Sequence, residues 1–286
     1  LSGTKFVYWL SYPYPEAWIY EAKSGVSKIV ALTWLRGRVS DFLLYRVILP
    51  AADFAFVQSE QMKEDVAARG IPREKMFPVP MGVDDAALAE SVSRPAKLET
   101  PTVLYVGTLS RVRRMDFLIR VFAKVIKDTP DAVLYVVGGE NESQINFLRS
   151  EAADLGISNN VVFTGMLPQS EAMEWMARAT VSVSPFYPTP ILNSTSPTKL
   201  VEYMAQGSAV VANDHPEQWQ TIQESGAGLC VEYDEDAFAA AIVELLSDPE
   251  RAHAMGQLGQ SYVKRKRTYS FIAEMVDNQL QQVITS

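Results

Sequence analysis

A lysine at the start of a predicted helix is the clearest sign of chemistry in this sequence. Residues 194–212 (STSPTKLVEYMAQGSAVVA) predict a loop, a short helix and a buried strand. We expect Ser196 at the N-cap and Pro197 at the first helical position, with Gly207 ending the helix. Lys199 then lies in the first turn, where the helix dipole disfavours a cation. A bound anion would remove this conflict.

A nucleotide carries the groups that this helix is suited to hold. The free backbone amides at this helix N-terminus would bind a phosphate, and the Lys199 ammonium would add a positive charge. Glu202 follows three residues later on the same face, where its carboxylate can accept hydrogen bonds from two hydroxyls. The pattern therefore predicts a nucleotide site. The alternative is a solvated Lys–Glu pair on an ordinary surface helix.

A second basic segment has the same character. Residues 107–114 (GTLSRVRR) follow the predicted strand TVLYV and precede another helix. Arg111, Arg113 and Arg114 again oppose the dipole at a helix start, and an anion would again relieve the conflict. One such loop alone is more simply a solvated basic loop. Two of them at strand ends of one sheet favour a shared anionic ligand.

Alternating strands and helices position these loops. Apolar runs at residues 102–106, 133–137, 161–164, 181–184, 209–212 and 228–231 predict strands, with helical patterns between them. This alternation predicts an α/β fold with a doubly wound parallel sheet, whose ligands bind at the carboxyl ends of the strands. The first ninety residues predict only three short strands, too few for a complete sheet. Between these two parts, residues 84–100 read as a linker.

Composition excludes several classes of protein. The net charge of −8 over 286 residues argues against a nucleic-acid partner. The single cysteine, Cys230, excludes a disulfide framework and indicates a reducing compartment. His215 and His253 stand far apart in sequence without cysteine partners, so we expect no metal site. With no signal peptide and no membrane-spanning run, we expect a cytoplasmic protein.

One segment leaves membrane contact open. The helical pattern at residues 28–49 mixes apolar side chains with Arg36, Arg38 and Arg46. Packing inside the domain is the more common explanation of such a mixture. Contact with an anionic membrane surface is the alternative.

The motifs in their order resemble the donor-binding lobe of family 4 glycosyltransferases with the GT-B fold. The resemblance rests on YVGTLSRVRRMDFLI, VVFTGMLPQSEAMEWMARATVSVSPF and SPTKLVEYMAQGSAVVA, and extends to ILPAADFAFVQSEQMKEDVAARGI and VPMGVD. It implies a partial Rossmann-like N-terminal lobe at residues 1–90 and a donor-binding lobe at 91–266. A C-terminal helix at 267–286 is expected to return to the N-terminal lobe.

The resemblance also implies roles for individual residues. Arg113 and Lys199 correspond to the basic residues on the donor diphosphate, and Glu202 to the acidic residue on the ribose hydroxyls. The backbone of Met166 and Leu167 corresponds to the segment that reads the base. The remaining donor-binding positions are Gly107, Thr108, Arg111, Ser196, Pro197 and Thr198.

The sequence departs from the family pattern at several points. A second glutamate that often contacts the donor sugar is replaced by Ser194, Thr108 stands for a usual arginine, and Arg114 stands for a usual glycine. The glycine-rich turn of the acceptor side would precede Leu1, and the histidine often found near the cleft has no counterpart. We therefore expect an incomplete N-terminal lobe and leave the donor sugar open.

The activity implied by the resemblance is retaining transfer of a sugar from a UDP- or GDP-sugar to an acceptor hydroxyl. It would need no metal and no cofactor. The expected setting is cell-surface polysaccharide or glycolipid synthesis, with a lipid-linked or saccharide acceptor and peripheral contact at the inner membrane face. The alternatives are a nucleotide-sugar epimerase and a non-catalytic nucleotide-sugar-binding module.

Overall fold

The chain forms two compact units. The computed structural model describes residues 3–25, 27, 29–88, 97–109, 113–139 and 141–285. The first unit comprises Leu1–Met81, Thr189–Ser196 and Ile272–Ser286, and the second comprises Gly82–Pro188 and Pro197–Phe271. The chain thus first passes between units at Met81, whereas the sequence analysis places the boundary at residues 90 and 91. No helix in the described part of the chain is long and apolar enough to cross a bilayer.

The first unit contains a three-stranded parallel sheet. Its strands, in the order β1-β2-β3, are β1 (Val7–Leu10), β2 (Phe54–Val57) and β3 (Met76–Pro78). Its helices are α1 (Tyr14–Lys23), α2 (Val30–Leu43), α3 (Leu49–Ala51), α4 (Glu60–Ala67) and the short α8 (Pro190–Asn193), with a π-helical segment, Leu44–Ile48, joining α2 to α3. All three predicted strands are present.

Helix α1 corrects one prediction. From the sequence, Pro13 and Pro15 predict an extended loop at residues 11–17, but the helix begins at Tyr14. Pro15 occupies the second helical position, and there a missing N–H removes no intrahelical hydrogen bond. Prolines at the start of a segment are therefore compatible with the helix observed.

Helices cover both faces of this small sheet. Leu10, Ala55 and Val57 pack on one face with residues of the α2–α3 segment. On the other face, Phe54 and Phe56 pack against the last helix, α13 (Tyr269–Thr285). The residues of α13 in this cluster are Ile272, Met275, Val276, Leu280 and Val283. Phe271, the residue before Ile272, is 40% exposed.

The second unit contains a six-stranded parallel sheet, as predicted. Its strands are β4 (Thr102–Val106), β5 (Val133–Val137), β6 (Val161–Gly165), β7 (Val181–Ser184), β8 (Ala209–Asn213) and β9 (Gly228–Val231). They lie in the order β6-β5-β4-β7-β8-β9. The order reverses between β4 and β7, and a crevice at the carboxyl ends opens at such a point.

Two layers of helices enclose this sheet. The helices of the unit are α5 (Asp116–Asp128), α6 (Glu142–Asp154), α7 (Gln169–Arg178), α9 (Thr198–Ala205), α10 (Pro216–Ser225), α11 (Glu235–Ser247) and α12 (Pro249–Lys266). Val103 and Tyr105 of β4 pack with α5, α6 and α11, whereas Leu104 packs with α7, α9 and α12. Alternate residues of a buried strand therefore serve opposite layers.

Candidate functional site

Helix α9 carries Lys199, and its start differs from the prediction by one residue. Pro197, and not Ser196, occupies the N-cap position, and it makes no side-chain capping hydrogen bond. The buried hydroxyl of Ser196 instead accepts a hydrogen bond from the Met81 amide at 2.9 Å. Thr198 is consequently the first helical residue, and Lys199 the second. Lys199 remains in the first turn, where the dipole disfavours a cation.

Hydrogen bonds fix the C-terminal end of α9 and hold the helix against β4. Gly207, with φ of 66°, ends the helix as predicted, and its amide donates to the Met204 carbonyl at 3.0 Å. The amide of Ser208 donates to the Tyr203 carbonyl at 3.0 Å, which completes the capping pattern. The Tyr203 hydroxyl accepts from the Val106 amide at 2.8 Å. This bond ties α9 to the carboxyl end of β4.

The side chain of Lys199 lies against the backbone of Gly107. A Cβ atom at Gly107 would overlap the Lys199 Cε and Nζ atoms, and its φ of 150° also favours glycine. The Lys199 Nζ lies 5.8 Å from the centroid of the Tyr105 ring. A Cβ at Gly138 would in turn overlap the Gly107 carbonyl. Close packing of these loops therefore requires both glycines and directs the ammonium to the end of β4.

Arg113 and Arg114 follow the same loop but take different environments. Arg114 is exposed, has a φ of 50° and forms an ion pair with Asp116 at 3.2 Å. Arg113 is half-buried, and its Cζ lies 5.1 Å from the centroid of the Phe186 ring. The buried Nη1 of Arg113 has no hydrogen-bond partner among the described residues. Arg111 lies outside the described residues.

The electrostatics indicate an excess of positive charge. Burial, followed by the nearby Arg113 guanidinium, lowers the pKa of Lys199 to about 8, while Glu202 acts in the opposite direction. Burial also raises the pKa of Glu202, against the effect of Lys199. The Lys199 and Arg113 cations thus lie near each other, beside the Glu202 carboxyl, whose pKa is raised. An anion bound between the cations would stabilise both charges.

Glu202 also borders a cavity. The cavity has a volume of about 310 Å³ and lies beside α7 and α9. Besides Glu202, its lining includes Val106, Met173, Met176 and Gln206. Its wall is mostly apolar and also includes Asp84, and a mostly apolar wall with a few polar groups is typical of a small-molecule site.

The structure brings together four of the predicted residues, Gly107, Arg113, Lys199 and Glu202. The other predicted residues differ in their exposure to solvent. Thr108 and Met166 are exposed, Leu167 and Thr198 are half-buried, and Ser196 and Pro197 are buried. Of the two residues predicted to read the base, Leu167 packs on the core beneath α9, and Met166 is 63% exposed. The roles of these residues in ligand binding stay predictions.

Three aromatic residues at this site were missed by the sequence analysis. Tyr105 and Tyr203 lie inside the quoted motifs but were given no role there, and Phe186 is 73 residues from Arg113. Phe186 did have a signal. The segment PFYP places two aromatic residues between prolines directly after a predicted strand, at the edge where ligands bind.

Comparison with known proteins identifies the family. A family model described as "Glycosyl transferases group 1" matches residues 100–248, more than half of the chain. The chain belongs to this family. A GDP-mannose-dependent alpha-(1-6)-phosphatidylinositol monomannoside mannosyltransferase of Mycolicibacterium smegmatis is 28% identical over 256 residues, which cover 84% of this chain and 66% of that protein.

Solved structures of glycosyltransferases share the fold. Anabaena HepE, solved with UDP and glucose, has a TM-score of 0.75 at 18% identity over 98% of this chain and 72% of its own. Sucrose-phosphate synthase from Thermosynechococcus elongatus has a TM-score of 0.69 at 24% identity over 86% of this chain and 62% of its own. This group 1 glycosyl transferase therefore has the GT-B fold. It spans about two thirds of the length of the mannosyltransferase and of the synthase.

Proposed function

We propose that this protein is a glycosyltransferase that binds a nucleotide-diphosphate sugar at the crevice between β4 and β7. The observation that carries the proposal is the pair of cations, Arg113 and Lys199, beside Glu202. Two mutually repelling charges in a partly buried site are costly unless an anion binds between them. The membership of the family makes the donor diphosphate the appropriate anion.

Each residue then has a physical task. Lys199 and Arg113 bind the diphosphate and neutralise the charge that develops on it as the sugar departs. Glu202 accepts hydrogen bonds from the ribose hydroxyls. The cavity beside Glu202 places apolar surface next to the nucleoside. The donor is a UDP- or GDP-sugar: the mannosyltransferase relative is GDP-mannose-dependent, and HepE was solved with UDP.

We further propose that transfer proceeds with retention and without a metal. We assign Glu202 to the ribose and not to covalent catalysis, so the acceptor hydroxyl attacks the face from which the diphosphate leaves. A phosphate oxygen assists by accepting the proton. The two cations supply the neutralisation that a divalent ion provides in other transferases. The bond to the acceptor oxygen forms as the sugar–phosphate bond breaks.

The proposed acceptor is a glycolipid or a saccharide. The mannosyltransferase relative is named for a phosphatidylinositol monomannoside acceptor, which favours a lipid-linked one. We place the enzyme in the cytoplasm with peripheral contact at the inner face of the membrane. The exposed apolar residues of α2, which include Leu35, Val39 and Phe42, are suited to such contact beside the arginines of that helix.

Calorimetry tests the donor site directly. Uridine, UDP, guanosine and GDP are titrated into the protein and into Lys199→Ala. The variant should lose about ten- to a hundredfold affinity for the diphosphate, the loss expected for one charge-assisted hydrogen bond, and keep its affinity for the nucleoside. Equal losses for both ligands, or no loss, would overturn the assignment. Lys124→Ala, which removes a half-buried, salt-bridged lysine of α5, is the matched control.

Product analysis separates transfer from the two alternatives. Incubation with UDP-glucose or GDP-mannose and a lipid or saccharide acceptor should yield a glycosylated acceptor with the anomeric configuration of the donor. Epimerised donor without acceptor would indicate an epimerase. Donor binding without turnover would indicate a binding module.

A further inference from the structure

We infer that Phe186 is a positioning residue for the diphosphate site, because its ring holds the guanidinium of Arg113 beside the Lys199 ammonium. This inference rests on the proposed function and deepens it. It adds to the site a residue that carries no charge and that no comparison assigns.

The contact between Arg113 and Phe186 is a cation–π contact. The guanidinium carbon lies 5.1 Å from the ring centroid. Among the described residues, the structure gives Arg113 no ion pair with a carboxylate, and its buried Nη1 has no hydrogen-bond partner. The ring therefore supplies attraction that a carboxylate would otherwise supply, while leaving the N–H groups free for a ligand. A planar guanidinium suits this arrangement better than an ammonium.

The Phe186 ring is itself held rigidly. Phe186 is 7% exposed, and its amide donates to the Asn213 Oδ1 at 2.6 Å. The His215 ring lies 5.3 Å away at an interplanar angle of 64°. The side-chain amide of Gln218 donates through Nε2 to the backbone carbonyls of Ser184 at 3.1 Å and Asn213 at 3.3 Å. This buried network joins the ends of β7 and β8 and fixes the loop that carries the ring.

The neighbouring contact between Arg114 and Tyr187 shows how the environments of the two arginines differ. Tyr187 lies under Arg114, whose Cζ is 5.4 Å from its ring centroid. Tyr187 also packs edge-on against Tyr233, with centroids 5.8 Å apart. Arg114 further pairs with Asp116, so the structure neutralises its charge. Among the described residues Arg113 contacts a ring but pairs with no carboxylate, which leaves its charge available to an anion.

Holding Arg113 in place has an energetic consequence for binding. Repulsion from Lys199 would drive a free guanidinium towards solvent. Part of the binding free energy of a ligand would then be used to return the side chain to the site. The Phe186 ring removes part of that cost by fixing the side chain before the ligand binds. The benefit should appear for a diphosphate, which contacts the cations, and not for a nucleoside.

Binding measurements on Phe186→Leu and Phe186→Tyr test this inference. Phe186→Leu should weaken UDP or GDP about three- to tenfold, the range expected for a cation–π contact, and change nucleoside affinity less than about twofold. Phe186→Tyr keeps a ring and should stay close to the parent. In an Arg113→Ala background, Phe186→Leu should have little further effect on diphosphate affinity, because the cation that the ring holds is already absent. Thermal unfolding confirms that each variant is folded.

A matched control removes the same type of contact elsewhere. The Arg36 Cζ lies 3.8 Å from the Trp18 ring centroid, in the first unit. Trp18→Leu should leave diphosphate and nucleoside affinity unchanged. If Phe186→Leu does not fold, Phe186→Met, which is closer to phenylalanine in size, carries the same test.

The outcomes separate this inference from the proposed function. An unchanged diphosphate affinity in Phe186→Leu, with losses in Lys199→Ala and Arg113→Ala, would overturn the inference alone. Equal losses of nucleoside and diphosphate would reduce Phe186 to a structural residue and also overturn it. Undiminished diphosphate affinity in Lys199→Ala and Arg113→Ala would refute the proposed diphosphate site itself.

Discussion

The side chain of Lys199 occupies the space that a Cβ atom at Gly107 would need. The two residues lie on different elements and are 92 positions apart in the sequence. The hydrogen bond between the Tyr203 hydroxyl and the Val106 amide, at 2.8 Å, holds α9 against the carboxyl end of β4. The glycine of one motif and the lysine of the other are therefore parts of one site, and a methyl group at the first displaces the second.

Gly107→Ala should reproduce the selective defect of Lys199→Ala. The added methyl group displaces the ammonium, so diphosphate affinity should fall about tenfold while nucleoside affinity changes little. Gly156→Ala is the matched control, because Gly156 has a φ of 73° but open space around its Cβ position. It tests backbone strain without displacement of a side chain. Calorimetry with both ligands makes the comparison, and a Gly107→Ala protein that binds diphosphate normally would contradict it.

The affinity for diphosphate should depend on pH through Lys199. Burial and the Arg113 guanidinium lower the pKa of Lys199 to about 8, so the ammonium is charged below that pH and loses its proton above it. Affinity should therefore be steady near pH 7 and fall about tenfold by pH 9. Lys199→Arg should give a flat profile over the same range, because a guanidinium does not titrate there. A parent profile as flat as that of the variant would show that Lys199 does not carry the dependence.

The alternation of strands and helices was predictable because the strands of the larger sheet are short, largely apolar segments separated by helical patterns. For β4, β5, β7 and β9 the predicted bounds match the structure, and β6 and β8 extend one residue further. The segment after the carboxyl end of β4 and the start of α9 could be predicted as anion sites because cations there oppose the helix dipole. These signals are local in sequence.

The missed features depend on contacts that are distant in sequence. The hydroxyl of Ser196 is engaged by the amide of Met81, 115 residues earlier, so a local capping rule could not place it. The stacking of Arg113 on Phe186 likewise joins two loops that only the sheet brings together. Helix α1 was not predicted because Pro13 and Pro15 favour extended backbone in the residues that precede them, whereas Pro15 lies in the first turn of the observed helix.

Glu202→Gln should weaken nucleoside and diphosphate binding together. The substitution keeps the size of the side chain but removes the charge that strengthens hydrogen bonds from the ribose hydroxyls, a loss of about 1.5 to 3 kcal/mol. Calorimetry should thus give losses of similar size for uridine and UDP, or for guanosine and GDP. A 2′-deoxy nucleotide, which keeps only the 3′ hydroxyl, should show a smaller difference in affinity between the parent and the variant. A loss confined to the diphosphate would place Glu202 at the phosphates and not at the ribose.

Donor binding should be independent of magnesium. Lys199 and Arg113 supply the positive charge for the diphosphate, so affinity for UDP or GDP in a chelator should match that in millimolar magnesium. The measurement pairs each titration with Lys199→Ala, because a variant with one cation fewer should become the more sensitive of the two to magnesium. A strong magnesium requirement in the parent would refute charge neutralisation by these residues alone.

The ion pair between Arg267 and Glu217 should decide the stability of the second unit. Both side chains are 7% exposed, with an Nη2–Oε1 distance of 2.7 Å, and the Arg267 backbone carbonyl accepts from the Val83 amide at 2.9 Å. Glu217→Ala would leave a buried guanidinium without its carboxylate and should destabilise folding by about 3 to 5 kcal/mol. The exposed pair between Arg251 and Glu244 is the control, and Glu244→Ala should cost less than about 1 kcal/mol.

A double substitution separates the net contribution of this ion pair to the free energy of unfolding from the destabilisation caused by removing one partner. Two buried charges lose hydration when the protein folds, and their mutual attraction repays only part of that loss. Replacing Arg267 by Met together with Glu217 by Leu removes both charges and fills the space with apolar atoms. The double variant should therefore recover most of the stability lost in Glu217→Ala, as measured by urea unfolding. If it is as unstable as the single variant, the charge left alone is not the cause, and the hydrogen bond from Arg267 to Thr221, at 3.1 Å, is the contact to test next.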